Sequence, residues 1–276
     1  MNKRGNKEKV AQYILISIFA LLALFPLVWV ILTSLKSKEQ IFSIADIFPR
    51  SITVDNYINV LFKAKFLVYF NNSVIVAVIS TVISIFLSVT CAYGLTRYHI
   101  RGGNKLKMAI LYTRMFPGVL LAIPYYVIMR SLRLGDTLLG LVFIYCSFTL
   151  PFCIWNVQTF FEKLPWELEE AASIDGANKF RTLISIMLPI AKPGIVATAL
   201  YSFMMSWDEF MFANLFITST EKKTISLGIQ SFIGEYSTDW GSLMGAAVIS
   251  LIPIIIFFAV AQKSLVGGLS AGAVKG

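Results

Sequence analysis

The stretch VAQYILISIFALLALFPLVWVILTSL, residues 10–35, contains no Asp, Glu, Lys or Arg. As a helix rising 1.5 Å per residue it is about 39 Å long, enough to cross a hydrocarbon layer of about 30 Å. It follows the basic segment carrying Lys3, Arg4, Lys7 and Lys9. The run exceeds the apolar segment of a cleaved signal peptide and has no small-x-small cleavage site, so it reads as a membrane span. Runs of the same kind recur at 66–96, 108–129, 137–161, 193–217 and 240–262, giving six expected spans within a single transmembrane domain over residues 1–276. The fold class predicted is all-α and polytopic. Arg114 interrupts the third run and the pair Asp208-Glu209 the fifth.

Composition agrees with lipid as the main solvent. Of 276 residues, 57% are hydrophobic and 14% charged, against about a quarter charged in soluble domains. The net charge of +9 is spread between the apolar runs and forms no single basic patch, which argues against nucleic-acid binding. Cys91, Cys146 and Cys153 lie inside apolar runs and read as small buried hydrophobes. His99 stands alone in a basic loop, so no metal site and no nucleophile–base pair is expected; the catalytic and metal residues predicted are none, and the chain reads as a transport subunit and not an enzyme.

Six spans place both termini on one side, and basic loops resist translocation. With the N-terminus in the cytoplasm, the inner segments hold fourteen lysines and arginines and the outer segments nine, five of the nine lying in the long loop from Lys36 to Lys65. Both termini are therefore expected in the cytoplasm. Pro26, Pro117, Pro124, Pro151 and Pro253 fall inside expected spans and predict kinks around a pathway. Gly241 to Gly245 with Ala246 and Ala247 would permit close helix approach in the sixth span.

The most informative segment is the cytoplasmic connection at 163–189, containing LPWELEEAASIDGA at 164–177. Pro165 suits the first turn of a helix, and Glu167, Glu169 and Glu170 set negative charge at the positive end of its dipole. Leu168, Ala171, Ala172 and Asp175 recur at helical spacing, and Gly176 marks the end. A short helix outside the membrane calls for a partner.

Glu170, Ala171, Ala172 and Gly176, followed after nine residues by Ile186, Leu188 and Pro189, match all seven fixed positions of E-A-A, three residues, Gly, nine residues, I-x-L-P. On this signature the chain resembles the inner-membrane permeases of binding-protein-dependent ABC importers. Arg114-Met115-Phe116-Pro117-Gly118, Ser206-Trp207-Asp208-Glu209-Phe210 and the tail Gly272-Ala273-Val274-Lys275-Gly276 resemble the carbohydrate subgroup, and the short loop after the first span is similar to that of the smaller permease of maltose-type transporters. Asp208 departs from the asparagine expected there.

The resemblance implies a coupling helix docked on an ATPase subunit, with Glu170, Ala171, Ala172, Asp175 and Gly176 as contact residues and Ile186, Leu188 and Pro189 setting the angle into the fifth span. It implies a bacterial or archaeal inner-membrane location. The implied partners are a second permease subunit, two ATPase subunits and an extracytoplasmic solute-binding protein. The chain has no G-x-x-x-x-G-K-[ST] loop, since Gly102-Gly103-Asn104-Lys105 fails the spacing. It is expected to bind no cofactor itself, with ATP and Mg on the partner subunits. Arg114, Trp207, Asp208 and Glu209 are candidates for the translocation pathway of a sugar or oligosaccharide, or else for a structural ion pair, because charges in lipid face protein or water. Asn71, Asn72 and Ser73 are weaker polar candidates at an outer helix end. The alternative function is an ion-gradient-driven secondary transporter or channel, against which the coupling loop speaks. Neighbouring protein and membrane lipid are the expected surroundings, and nucleic acid is not.

Overall fold

The computed structural model describes the backbone of residues 3–43 and 47–273 and the side chains of residues 9–43 and 47–264. The chain is all-α: among the described residues the only β pairing is an isolated bridge between Ile233 and Thr238. The long helices are α1 (Lys3–Ser34), α2 (Phe66–Arg97), α3 (Gly103–Tyr112), α4 (Gly118–Ser131), α5 (Leu138–Glu162), α6 (Glu167–Ile174), α7 (Lys179–Trp207), α8 (Met211–Phe216) and α9 (Trp240–Ala273). Among the described residues five helices are long and apolar enough to span a membrane, and the number is six where the bent pair α3 and α4 counts as one broken span. The chain is a polytopic membrane protein.

Contacts divide the chain into two compact units, Met1–Leu67 with Gly228–Ile252, and Val68–Leu227 with Pro253–Gly276. In the first, α1 buries none of its apolar window, the pattern of a helix solvated by lipid on all sides. The following segment is tied by Asn56, whose buried amide donates to the carbonyls of Ser34 and Lys36, each at 2.9 Å. Asn59 donates to Ser242 Oγ at 2.7 Å. Gly241 fits where a Cβ would strike the Asn56 side chain, so this small residue serves the approach of an asparagine.

In the second unit, α2 presents a stripe of Ser73, Ala77, Ser80, Ser84, Ser88 and Ala92, all buried. Small residues at three- and four-residue steps let helix backbones approach, and their hydroxyls bond across the gap. Ser84 Oγ and Thr149 Oγ1 of α5 lie 2.9 Å apart, and Cys146 Sγ donates to the Ser80 carbonyl. On its other side α5 meets α7. Asn156 donates to Thr198 at 2.8 Å, and Gly194 lies where any side chain would collide with the Phe160 ring.

The prolines behave unequally. Pro26, Pro124, Pro151, Pro193 and Pro253 sit inside continuous helices. Only at Pro117 does the chain break: Phe116 is extended at φ −75° and ψ 124°, as the residue before proline prefers, and the flanking helices meet at 98°. The third expected span, where Pro117 and Pro124 predict kinks, is a bent pair broken at Pro117 alone, with Arg114 in the 3₁₀ turn Thr113–Met115 at the bend. The fifth expected span also differs. α7 starts earlier, at Lys179, and ends at Trp207; residues 208–210 leave the helix before the short α8.

Candidate functional site

The loop at 163–189 is built from its helix outward. α6 begins at Glu167, two residues after Pro165, with all three acids in its first turn. It ends in a Schellman motif: the Gly176 amide donates to the Ser173 carbonyl at 3.1 Å and the Ala177 amide to the Ala172 carbonyl at 2.9 Å. Gly176 takes φ +78°, with open space where a Cβ would stand, so glycine is required by conformation and not by packing. Asn178 then caps the start of α7, accepting from the Arg181 amide at 2.8 Å.

One side of α6 faces the membrane helices. Glu169 is 3% exposed and pairs with the equally buried Arg97 at the end of α2, 2.9 Å from Oε1 to Nε. Its other oxygen accepts from Tyr93 and Lys179, both at 3.2 Å. Arg97 also donates to the carbonyls of Phe161 and Leu164 and lies 4.6 Å over the Trp166 ring. The buried ion pair is thus hydrogen-bonded on both sides, the condition under which such pairs persist away from water. Ala172 packs on this same inner side. Glu170, Ala171, Ile174 and Asp175 lie exposed on the other, Ile174 at 86%.

After α6 the chain enters α7 through a π turn, Leu183–Met187, in which the Leu188 amide reaches back to the Leu183 carbonyl. Pro189 has no amide to donate and its ring would crowd the carbonyl four residues earlier. The wider turn ahead of it accommodates both effects.

The second site is a cavity of about 710 Å³ at the α3–α4 bend, within the size range of small-molecule pockets. Arg114, Tyr125, Ser147, Phe148, Asp208 and Glu209 are among its lining residues. Arg114 donates to the Tyr201 hydroxyl at 2.9 Å and lies 5.4 Å from the centre of the Phe152 ring, making a cation–π contact. Tyr125 and Ser147 hydroxyls bond at 2.8 Å. Glu209 caps α8: its carboxylate accepts from the amides of Phe212 and Ala213 at 2.8 and 3.0 Å, and from the Tyr145 hydroxyl at 2.9 Å. Asp208 is exposed, and its carboxylate has no hydrogen-bond partner among the described residues.

The family model for the inner membrane component of binding-protein-dependent transport systems matches residues 84–270. The chain belongs to this family. The permease is 36% identical to the trehalose/maltose transport system permease protein MalG of Thermococcus litoralis, over 98% of this chain and 99% of that one. It is 30% identical to the inner membrane ABC transporter permease protein YcjP of Escherichia coli, over 100% and 99% of the two chains. In the crystal structure of a bacterial ABC transporter involved in import of the acidic polysaccharide alginate, one chain superposes with a TM-score of 0.79 at 26% identity, covering 95% of the permease and 98% of that chain.

Several residues singled out in the sequence take other places in the permease. Trp207 is 2% exposed and turned from the cavity, stacked on Phe203 and edge-on to Phe70, so it is a packing residue. Ala172 faces inward and not toward a partner. No ion pair joins Arg114 to Asp208 or Glu209 among the described residues. Asn72 and Ser73 fasten the loop at 221–225, Asn72 donating to the carbonyls of Glu221 and Lys223 and Ser73 accepting from the Ile225 amide. Ile186 is half-buried in the π turn, and Leu188 and Pro189 open the α-helical part of α7. The tail residues 274–276 lie outside the described residues.

Two features escaped the sequence reading. The Arg97–Glu169 pair joins residues far apart in the chain, and no local pattern marks Glu169 above its neighbours Glu167 and Glu170. The other is Asp136, which accepts from the amides of Thr218 and Ser219 at 2.9 and 3.0 Å and pairs with Lys222 at 3.3 Å. The hint in the sequence is the turn-forming pair Gly135-Asp136, and Asp136 takes φ +51°, a conformation that aspartate tolerates better than most side chains.

Proposed function

We propose that this permease is one half of the membrane pore of an ATP-driven importer for a sugar or oligosaccharide, and that α6 is the lever through which ATPase subunits move it. The carrying observation is the division of α6 into two faces. Glu169 and Ala172 lock inward, while Glu170, Ala171, Ile174 and Asp175 form an exposed acidic and apolar face outside the membrane. An exposed Ile174 beside two carboxylates is the surface of a docked helix lacking its partner. Glu170, Ala171, Asp175 and Gly176 are the contact region, Ala172 supports it from behind, and Ile186, Leu188 and Pro189 transmit its movement into α7.

The partners are a second permease, two ATPase subunits that carry ATP and Mg, and an extracytoplasmic solute-binding protein. Both termini and α6 lie in the cytoplasm of a bacterial or archaeal cell, as the bias of basic loops supports. The carbohydrate class rests on relatives named for trehalose, maltose and alginate, and on the chemistry of the cavity. Aromatic rings stack on sugar faces, and Asp208 and Arg114 offer an acceptor and donors for hydroxyl groups.

Glu170→Lys or Gly176→Leu should abolish solute-stimulated transport by loosening the ATPase, with the permease still inserted. The measurement is co-purification of ATPase subunits beside sugar uptake in vesicles. Retention of both in either variant would overturn the coupling assignment. Labelling a cysteine placed at Ala171 from outside intact cells would overturn the orientation. Uptake that survives loss of the ATPase and collapses with an ion gradient would favour the secondary-transporter alternative.

A further inference from the structure

A second cavity, about 490 Å³, opens beside the turn between α2 and α3. Tyr98, His99, Ile100, Arg101, Lys105 and Lys107 line it, and no carboxylate does. Lys107 is paired at 3.0 Å with Glu162, which also accepts from Gln158 at 2.7 Å, while Arg101 and Lys105 stand exposed. The first turn of α3 adds the positive end of its dipole, with Gly102 at φ +79° at its start and no side-chain cap to satisfy its amides. The charged side chains that line the cavity, Arg101, Lys105 and Lys107, are thus all cations.

Its level in the membrane follows from the helices it joins. α2 is a spanning helix and α3 opens the bent pair, so the five residues between Arg97 and Gly103 turn at the end of a span, where headgroups lie. Around the basic residues, Ile100, Leu106 and Met108 are exposed at 44%, 47% and 51%. Apolar side chains flanking fixed cations at that depth suit a ligand with acyl chains in hydrocarbon and an anionic head at the surface. A freely soluble anion would leave those side chains uncovered.

We propose that this cavity holds the headgroup of an anionic phospholipid of the cytoplasmic leaflet, with Arg101 and Lys105 contacting the phosphate. The sidedness rests on the orientation given above; the binding chemistry does not. Basic pockets between helices on the cytoplasmic side are suited to such headgroups. Each cation at such a surface strengthens lipid binding roughly fivefold, so removing two weakens it about 30-fold.

The full chain in a neutral detergent is titrated with dioleoyl phosphatidylglycerol, and bound lipid is counted by native mass spectrometry. Dioleoyl phosphatidylcholine and the deacylated headgroup glycerophosphoglycerol are run in parallel. The double variant Arg101→Gln/Lys105→Gln should bind phosphatidylglycerol about 30-fold more weakly, while Lys192→Gln/Lys263→Gln, which removes the same charge elsewhere on the chain, stays within about twofold of the wild type. Equal losses in the two double variants would reduce the site to diffuse attraction and overturn it. Equal binding of phosphatidylcholine would overturn the anionic requirement, and a deacylated headgroup that binds as tightly as the lipid would make the ligand a soluble phosphate. Because binding in detergent is independent of sidedness, failure here and failure of the cysteine-labelling test of orientation appear separately.

Discussion

Glu169 and Glu170 are adjacent carboxylates on α6 with opposite surroundings, and replacing each by alanine should separate them. Glu169→Ala removes a side chain that is 3% exposed and leaves Arg97, 2% exposed, without its counter-ion. Breaking a buried pair from one side costs about 3–5 kcal/mol, because the remaining charge is stranded. Arg97 keeps two carbonyls and the Trp166 ring, which favours the lower end, about 3 kcal/mol. The lost contact with Lys179 adds little, since that lysine is 57% exposed and such pairs contribute about 0–1 kcal/mol. A loss of about 3 kcal/mol shifts the ratio of docked to undocked α6 by roughly 150-fold.

Hydrogen exchange of the amides at 167–177 reads that ratio directly. Glu169→Ala should lose about two decades of protection there, whereas Glu170→Ala, whose side chain is exposed, should keep wild-type protection and weaken only the hold on the ATPase. Arg97→Met/Glu169→Leu, which removes both charges and leaves apolar bulk, should recover most of the loss, since well-packed apolar replacements of buried pairs are often neutral. Equal protection in the two single variants, or a double variant as damaged as Glu169→Ala, would refute the view that the ion pair anchors α6.

Gly194→Leu should lower the melting temperature through a cost of about 1–3 kcal/mol as the new side chain meets Phe160, with partial recovery in Gly194→Leu/Phe160→Ala. Glu209→Gln should also destabilise, by about 1 kcal/mol, through weakened capping of α8, while Asp208→Asn leaves the melting temperature unchanged and alters sugar uptake. Partial burial works against ionisation of Asp136, but hydrogen bonds from Ser219, Thr218 and Lys222 prevail and hold its carboxyl below the ordinary value of 3.8. Its contribution is therefore fully present above about pH 4 and is lost only as pH falls through the lowered folded value. Exchange at the Thr218 and Ser219 amides should stay protected from pH 8 to about pH 5 in the wild type, and Asp136→Ala, which removes the acceptor, should expose them at neutral pH at a cost of about 1–3 kcal/mol.

The spans were legible because crossing lipid demands length and the near absence of charge, and both are local properties of the chain. The breaks were less so. Seven prolines lie in or beside the spans, and a missing amide is the same local fact at each; six of them sit in continuous helix. The glycine after Pro117 does not single it out, since Pro193-Gly194 is the same pair and stays in helix; what differs is Phe116, whose extended backbone turns the chain. The candidate pathway was legible only as a neighbourhood. Trp207, Asp208 and Glu209 are consecutive, yet the end of α7 sends the first into packing, the second to the cavity and the third onto the amides of α8.

The placement of Glu169 bears on how a lever of eight residues can move spans many times its mass. A helix joined only through its two ends would bend at Pro165 and Gly176 when pulled, and the displacement would be lost in those turns. Here the inner face meets three spans at once: Tyr93 and Arg97 of α2 directly, the carbonyl of Phe161 in α5 through Arg97, and Lys179 of α7. In the proposed cycle a pull on Glu170 and Asp175 would therefore be carried by charge-assisted contacts to the near ends of those helices together. An apolar contact of equal area would hold α6 in place but let it slide, because apolar attraction is non-directional. The hydrogen bonds from Tyr93 and Lys179 to Glu169 are directional and would fix its bearing as well as its distance, so that the displacement would reach α7 as a tilt, through the π turn before Pro189.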